Sequence, residues 1–276
     1  LQNKLNKEYF DSPYAKGDRV SELRRKYQSA ASYALGELIN SLNFQIDNDL
    51  RQRRVSQAKQ KILRITDAER TMNETFPFSS YNKDSLKTKI KFLNLIRNDI
   101  ERVQDRIYED LITIPNEPGT LMLKTEVSQA LYSTIIGYNP SRFLGDIKPV
   151  ESVSWEEANA FCKRLSWVMG LRVRLPKENE FRSAIGPLRM IKLDEYVATS
   201  GILANLASKE PLGEGFYDLL GNISEWLYSD LDLENSQVKH IGGHFNDRLN
   251  AIYSVPLRMA NRNERSRLIG FRFVVE

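Results

Sequence analysis

The groups in this sequence with chemistry to offer are few, and they gather toward the C-terminus. Cys162 is the only cysteine, and His240 and His244 are the only histidines. One thiol allows no internal disulfide and no cysteine-based metal cluster. The two histidines lie four apart in a strand-like run. Extended backbone holds such positions roughly 13 Å apart, at about 3.3 Å per residue. Ligands of one zinc ion sit about 2 Å from it. A bend at Gly242-Gly243 shortens the span without supplying a third ligand. After that glycine pair the composition becomes dense in polar groups: His244, Phe245, Asn246, Asp247, Arg248, Asn250, Tyr253, then Arg258, Met259, Asn261, Arg262, Asn263, Arg265 and Arg267. Asn, Tyr, Arg and Asp are the side chains of an adaptable binding surface. Arginines at that density also serve to hold carboxylates of a core. Both readings stand at this point.

Upstream lies GEGFYDLLGNISEWLYSD, residues 213 to 230. Gly221 suits a tight turn with positive φ. Asn222 tolerates the same conformation and bonds nearby backbone. Glu225 is the carboxylate of this segment, and Trp226 is expected in the core.

The elements that must position these groups fall into two textures. Between Gly36 and Gly119 there is no glycine, and Pro77 is the only proline between Pro13 and Pro115. Long helices follow from that. Residues 1–16 read as an irregular lead-in. From Asp18, a plausible N-cap, apolar residues recur at three- and four-residue steps: Val20, Leu23, Tyr27, Ala31, Ala34, Leu38, Ile39, Leu42, and on through Ile46, Leu50, Val55, Ala58, Ile62 and Ile65. Phe76 to Asp84 reads as a loop. A further helix is expected from Ser85 to Leu111, making an antiparallel hairpin with the first. The basic run from Arg51 to Arg64 reads as a solvated helix face, since no aromatics interleave with it.

From Leu111 the texture is one of short strands, turns and short helices. ITIPNEPGTLML reads as strand and turn, and EVSQALYSTI as a helix. Ser154 caps a helix with Glu156 and Glu157 in its first turn, ending near Gly170. On its face lie Ala158, Phe161, Cys162 and Leu165, so the thiol is a buried small hydrophobe. RVRL is a strand, and Pro176 opens a helix from Lys177 to Ala184. IGGHF and GFRFVVE read as sheet strands. The expected organisation is a helical region over 1–110 and an α+β domain over 111–276.

Composition bounds the rest. With 276 residues, 41% hydrophobic and 28% charged, the chain has the make-up of a globular protein. A net charge of +4 with no recognisable motif gives no case for nucleic acid. No apolar run approaches the roughly 20 residues of a membrane helix. No secretory signal is visible, but the sequence starts at Leu1 rather than Met, so the compartment stays open.

Several segments match one pattern in order: SWEEANAFC, RLPKENEF, LGNISEW, HIGGHFND and GFRFV. Together they resemble the formylglycine-generating-enzyme/sulfatase-modifying domain, a variant of the C-type lectin fold, over about 111–276. In that family two cysteines near the C-terminus form a copper(I) thiolate site. The matching region here, RLNAIYSVPLRMANRNERSRLIGFRF, holds no cysteine. The resemblance therefore implies the scaffold without copper and without that oxidation chemistry. A related branch builds iron sites from three histidines, and two are too few. The resemblance also implies a structural calcium site. Its ligands would be the carbonyls of Leu220, Gly221 and Ile223, with the side chains of Asn222 and Glu225. The plainer alternative has Glu225 bonding its own turn. GGHFND, RMANRN and IGFR also resemble the variable region of diversity-generating-retroelement proteins, which display randomised residues on this surface.

The expectation is a non-catalytic module that binds a protein or glycan ligand through about 244–267. His244, Phe245, Asn246, Arg248, Tyr253, Arg258, Asn261, Arg262, Asn263 and Arg265 are the candidate contacts. The N-terminal helices would pack, self-associate or tether a partner. A subunit of a larger complex and an enzyme using Tyr, His and Arg are the alternatives.

Overall fold

A computed structural model describes residues 18–76, 84–188, 192–229 and 236–276. The expected lead-in over 1–16 and nearly all of the loop expected over 76–84 lie outside them. The chain divides into two compact units, Leu1–Ile100 and Glu101–Glu276.

In the first unit, helix α1 spans Asp18–Arg51, α2 Val55–Thr75 and α3 Asp84–Leu95. The apolar periodicity continues as expected, but the helix does not. The chain reverses at Gln52–Arg54, where Arg53 takes a φ of 57° and the Arg54 N–H bonds the Asp49 carbonyl at 2.7 Å. No glycine or proline marks this turn. Asp49 holds it: its buried carboxylate accepts from Arg54 Nε at 3.1 Å and from Lys61 Nζ. Two members of the basic run are therefore committed to the turn. The hairpin is thus α1 with α2, while α3 packs on α2 and reaches α1 through Lys89, whose Nζ bonds Asn43 Oδ1 at 2.7 Å. The apolar face is buried where the stripe predicts, at Ile39, Leu42, Ile46, Leu50, Ala58, Ile62 and Ile65. The helix expected over 85–111 is also interrupted, by turns at 96–99. Asn98 and Asp99 stand there, side chains that compete with helical backbone bonds.

Helix α4, Ile100–Glu109, falls almost wholly in the second unit, where Gln104 donates to the Val168 carbonyl at 2.8 Å. Strands β1 (Leu111–Thr113) and β2 (Leu121–Leu123) form a hairpin across the two-proline turn. Helix α5, Gln129–Ile136, is capped by the Ser128 hydroxyl and closed by Gly137 in the left-handed region. Helix α6, Trp155–Met169, carries the expected N-cap in full: Ser154 and Glu157 bond each other's backbone, and Gly170 ends the helix. Strand β3 (Val173–Arg174) leads into α7 (Glu178–Ile185), and a short α8 (Leu193–Tyr196) follows. Then come β4 (Ser224–Trp226), β5 (Gln237–Ile241), a four-residue helix α9 (Leu249–Ile252), β6 (Leu257–Asn261), β7 (Ile269–Gly270) and β8 (Val274–Val275).

The strands make two four-stranded sheets, ordered β1-β2-β8-β3 and β6-β5-β4-β7. All pairings are antiparallel except β4 with β7. The aromatic core lies beside them: Tyr132, Phe161, Phe271 and Phe273 are buried, with Tyr132 and Phe161 stacked at 5.6 Å. Cys162 is buried, and burial pushes its thiol well above the usual range. Among the described residues, no helix is long and apolar enough to cross a membrane.

Candidate ligand-binding surface

The surface is framed by β5, α9 and β6, and braced from below by a buried ionic cluster. Arg272 lies between β7 of one sheet and β8 of the other, fully buried. Its Nε and Nη2 donate to the two Glu225 oxygens at 2.7 and 2.8 Å. It also donates to the carbonyls of Leu123, Lys124 and Tyr217 at 3.3, 3.2 and 2.9 Å. One guanidinium thus ties β2, β4 and the approach to the 218–223 turn. Glu126 and Asp218 are buried beside it. Burial, with Asp218 and Glu225 near, holds the Glu126 carboxyl well above the usual carboxylate range. Among the described residues, Glu126 Oε2 and Asp218 Oδ1 are buried with no hydrogen-bond partner.

The turn behaves as its residues suggest, with Gly221 at φ 87° and Asn222 at 47°. A Cβ on Gly221 would stand 2.8 Å from the Ala198 carbonyl oxygen. The two side-chain donors proposed for calcium are otherwise engaged. Both Glu225 oxygens face the Arg272 guanidinium. Asn222 Oδ1 accepts from the Ala204 N–H at 3.0 Å, and its Nδ2 donates to Glu126 at 3.0 Å. A guanidinium already supplies the positive charge a calcium ion would bring, so Asn222 and Glu225 in this arrangement do not offer their side chains to that ion. Among the described residues no group of three His, Cys, Asp or Glu side chains is placed to hold a metal.

Gly242 and Gly243, at φ 98° and 78°, turn the chain out of β5. A Cβ at Gly243 would meet Ile252 Cδ1 at 2.2 Å, so the loop closes onto α9 only with glycine there. Asp247 organises the loop beyond this bend. It accepts the His244 N–H at 3.0 Å and takes Arg258 in a two-pronged pair at 2.8 and 2.9 Å. Burial pushes the His244 imidazole below its usual range. His240 faces inward at the edge of Trp226, bonded to Ser224 Oγ at 2.8 Å, and burial pushes it down to about 4. The two histidines do not form a ligand pair.

Two further arginines clamp the surface to α6. Arg262 pairs with Glu156 and lies over the Trp155 ring at 5.3 Å. Arg265 grips both Glu157 oxygens at 2.7 and 2.9 Å, the carboxylate that also caps α6 and receives the Tyr138 hydroxyl. These interactions hold the Glu157 carboxyl below its usual range. Arg258, Arg262 and Arg265 therefore serve first as anchors. Phe245 is a correction: it is buried with Leu203 and Ile223 against Phe143, because the glycine bend turns it inward. Of the candidate contacts not tied to a carboxylate, Asn246, Arg248, Tyr253, Asn261 and Asn263 face solvent, joined by Leu257 and Met259 on β6. Leu257 is the contributor that residue chemistry overlooks. The alternation in LRMAN signals it.

No family model matches the sequence, and no curated protein does. Solved structures do. The fold is shared with variable protein 1 of Treponema denticola. That match has a TM-score of 0.50 at 22% identity, over 56% of this chain and 84% of that one. It bears out, at the level of fold, the resemblance carried by the motifs. CarF matches with a TM-score of 0.47 at 21% identity, over 56% of this chain and 85% of its own. PvdO of Pseudomonas aeruginosa matches with 0.49 at 19%, over 57% and 80%.

Proposed function

We propose that this chain is a non-catalytic binding module that displays the 244–267 surface on a lectin-type scaffold to a protein or glycan ligand. The observation that carries the reading is the division of labour on that surface. Arg258, Arg262 and Arg265 are tied to Asp247, Glu156 and Glu157, while Asn246, Arg248, Tyr253 and Asn263 stand exposed on the frame they hold. A rigid frame bearing adaptable polar side chains lowers the ordering cost of binding. Tyr253 is 53% exposed, and Arg262 is committed to Glu156 and Trp155, which favours an open display face over an enclosed reaction site. The absent cysteine pair supports the same reading, and no copper chemistry is proposed.

The likeness to a protein titled a variable protein supports a further element, that the exposed positions are diversified. Sequencing the 3′ end of the gene across isolates tests it. Adenine-directed changes at the codons of Asn246, Tyr253, Asn261 and Asn263, beside a template repeat, are expected. Uniform codons with no template overturn diversification. For binding, the triple variant Asn246→Ala/Arg248→Ala/Tyr253→Ala should lose ligands selected on the wild-type chain while keeping its melting temperature. Unchanged binding overturns the surface assignment.

A second reading has its own observation. On α1, Leu23, Tyr27, Tyr33 and Phe44 are 47, 61, 73 and 76% exposed. Aromatic side chains left in water on one helix favour self-association or a protein partner through the N-terminal unit. Light scattering of the full chain against Tyr27→Ser/Tyr33→Ser/Phe44→Ser tests it, an unchanged mass and no partner capture counting against it.

A further inference from the structure

Among the described residues, strand β6 is the outermost strand of its sheet and no strand pairs with its outer edge. Residues opposite each other in an antiparallel pair alternate between those that exchange both backbone bonds and those that exchange none. The Arg262 N–H donates to the Ser236 carbonyl at 2.8 Å, which marks that pair as an exchanging one. With the observed register, Ala260/Val238 and Arg258/His240 are the next exchanging pairs. The N–H and C=O of Leu257 and Met259 and the N–H of Asn261 then point away from β5, and among the described residues no other group takes them. Pro256 closes this row on one side. On the other, the Asn261 carbonyl accepts from Glu264 at 2.8 Å, and its side chain accepts from Asn263 at 2.9 Å.

The other edge strands differ. β3 and β7 are two residues long and buried, and β1 has three residues. β6 has five, with Leu257 37% and Met259 55% exposed on one face. Folded chains usually blunt such an edge, because it templates pairing with another strand. Here it lies inside the display surface. Charge narrows the occupant. Among the described residues, Arg248, between the Asp247 that pairs with Arg258 of β6 and helix α9, is an exposed cation with no carboxylate partner.

We infer that the ligand of this surface is an extended polypeptide that adds a strand to the open edge of β6, with apolar side chains at alternate positions to cover Leu257 and Met259 and an acidic residue to meet Arg248. Backbone bonds supply affinity in this mode and alternate side chains supply specificity. The inference rests on the display reading above and names its ligand class.

The probe is a phage-displayed library of random linear peptides, selected on the full chain beside an array of immobilised glycans. Selected peptides should show apolar residues at alternate positions with acidic neighbours. Met259→Pro removes an outward donor without touching the β5 ladder, at the kind of edge position where proline is tolerated. It should weaken those peptides about ten-fold or more, from a lost bond and a blocked approach, at an unchanged melting temperature. In the wild-type complex, exchange of the Met259 amide should slow by a similar factor, a readout needing no variant. Peptides held equally well by Met259→Pro, and lost by the Asn246/Arg248/Tyr253 triple variant, overturn strand addition and leave the display surface standing. Glycan binding with no peptide selected overturns the polypeptide ligand alone. Binding of neither overturns both. A wild-type dimer that Met259→Pro makes monomeric assigns the edge to a second copy and overturns the inference.

Discussion

Replacing Arg272 with Met probes the ionic cluster beneath the surface most severely. The substitution keeps much of the side-chain volume and deletes the only cation among three buried carboxylates, Glu126, Asp218 and Glu225. Glu225 is 1% exposed, so its charge is left without compensation. The carbonyls of Leu123, Lys124 and Tyr217 lose donors as well. Removing one partner of a buried ion pair costs about 3–5 kcal/mol. In a unit of this size each kcal/mol moves the melting temperature by roughly 2–4 °C, so a fall of about 6–20 °C is expected. Trp155, Trp167 and Trp226 are the chain's tryptophans, and all lie in the C-terminal unit. Their fluorescence during denaturant unfolding therefore reports that unit by itself. Adding Glu225→Gln should recover part of the loss, because the orphaned charge is gone. A single variant that loses under about 1 kcal/mol, or a double variant worse than the single, would show that the Glu225 charge does not depend on Arg272.

Four further outcomes rest on particular contacts. Glu126→Gln should isolate the raised pKa of this buried carboxyl. The folded-state pKa of Glu126 lies above its unfolded value of about 4.3. Its contribution is therefore fully present below that value and is lost as pH rises through the folded pKa. The variant minus wild-type melting temperature should grow as pH rises above about 4, and a flat difference contradicts the raised pKa. Gly221→Ala should cost roughly 1–3 kcal/mol in a denaturant titration, since φ 87° and the Ala198 carbonyl both resist a Cβ. Cys162 should react with an aromatic disulfide reagent only as the chain unfolds, because it is buried and its thiol is held protonated. Calcium and a chelator should leave the melting temperature of the purified chain where it is; a rise with calcium means that Arg272 swings away from Glu225.

Local features were legible in residues near one another. The Ser154–Glu157 capping box, the Gly170 terminus, the positive φ at Gly221-Asn222 and the two-proline hairpin follow from neighbours a few positions apart. The motif order indicated the fold as well. What escaped depends on distant partners. The reversal at Gln52–Arg54 is held by Asp49 reaching Lys61, and no turn residue announces it. Glu225 resembled a metal ligand because Arg272, which neutralises it, is 47 positions away. The arginines at 258, 262 and 265 look like ligand contacts in the sequence. The acids that claim them lie on α6 or on the far side of α9. Phe245 follows a strand pattern that the glycine pair breaks, so its inward turn was hidden.

If ligand binding resides in the exposed side chains of the 244–267 surface, and the arginine anchors only hold it, the two roles separate in one comparison. Biolayer interferometry of a ligand selected on the wild-type chain, repeated with Asn246→Ala/Arg248→Ala/Tyr253→Ala, measures this directly. The expected outcome is a loss of at least about ten-fold in affinity, near 1.4 kcal/mol, at equal melting temperature. Equal affinity in the two proteins would move the binding site elsewhere in the chain.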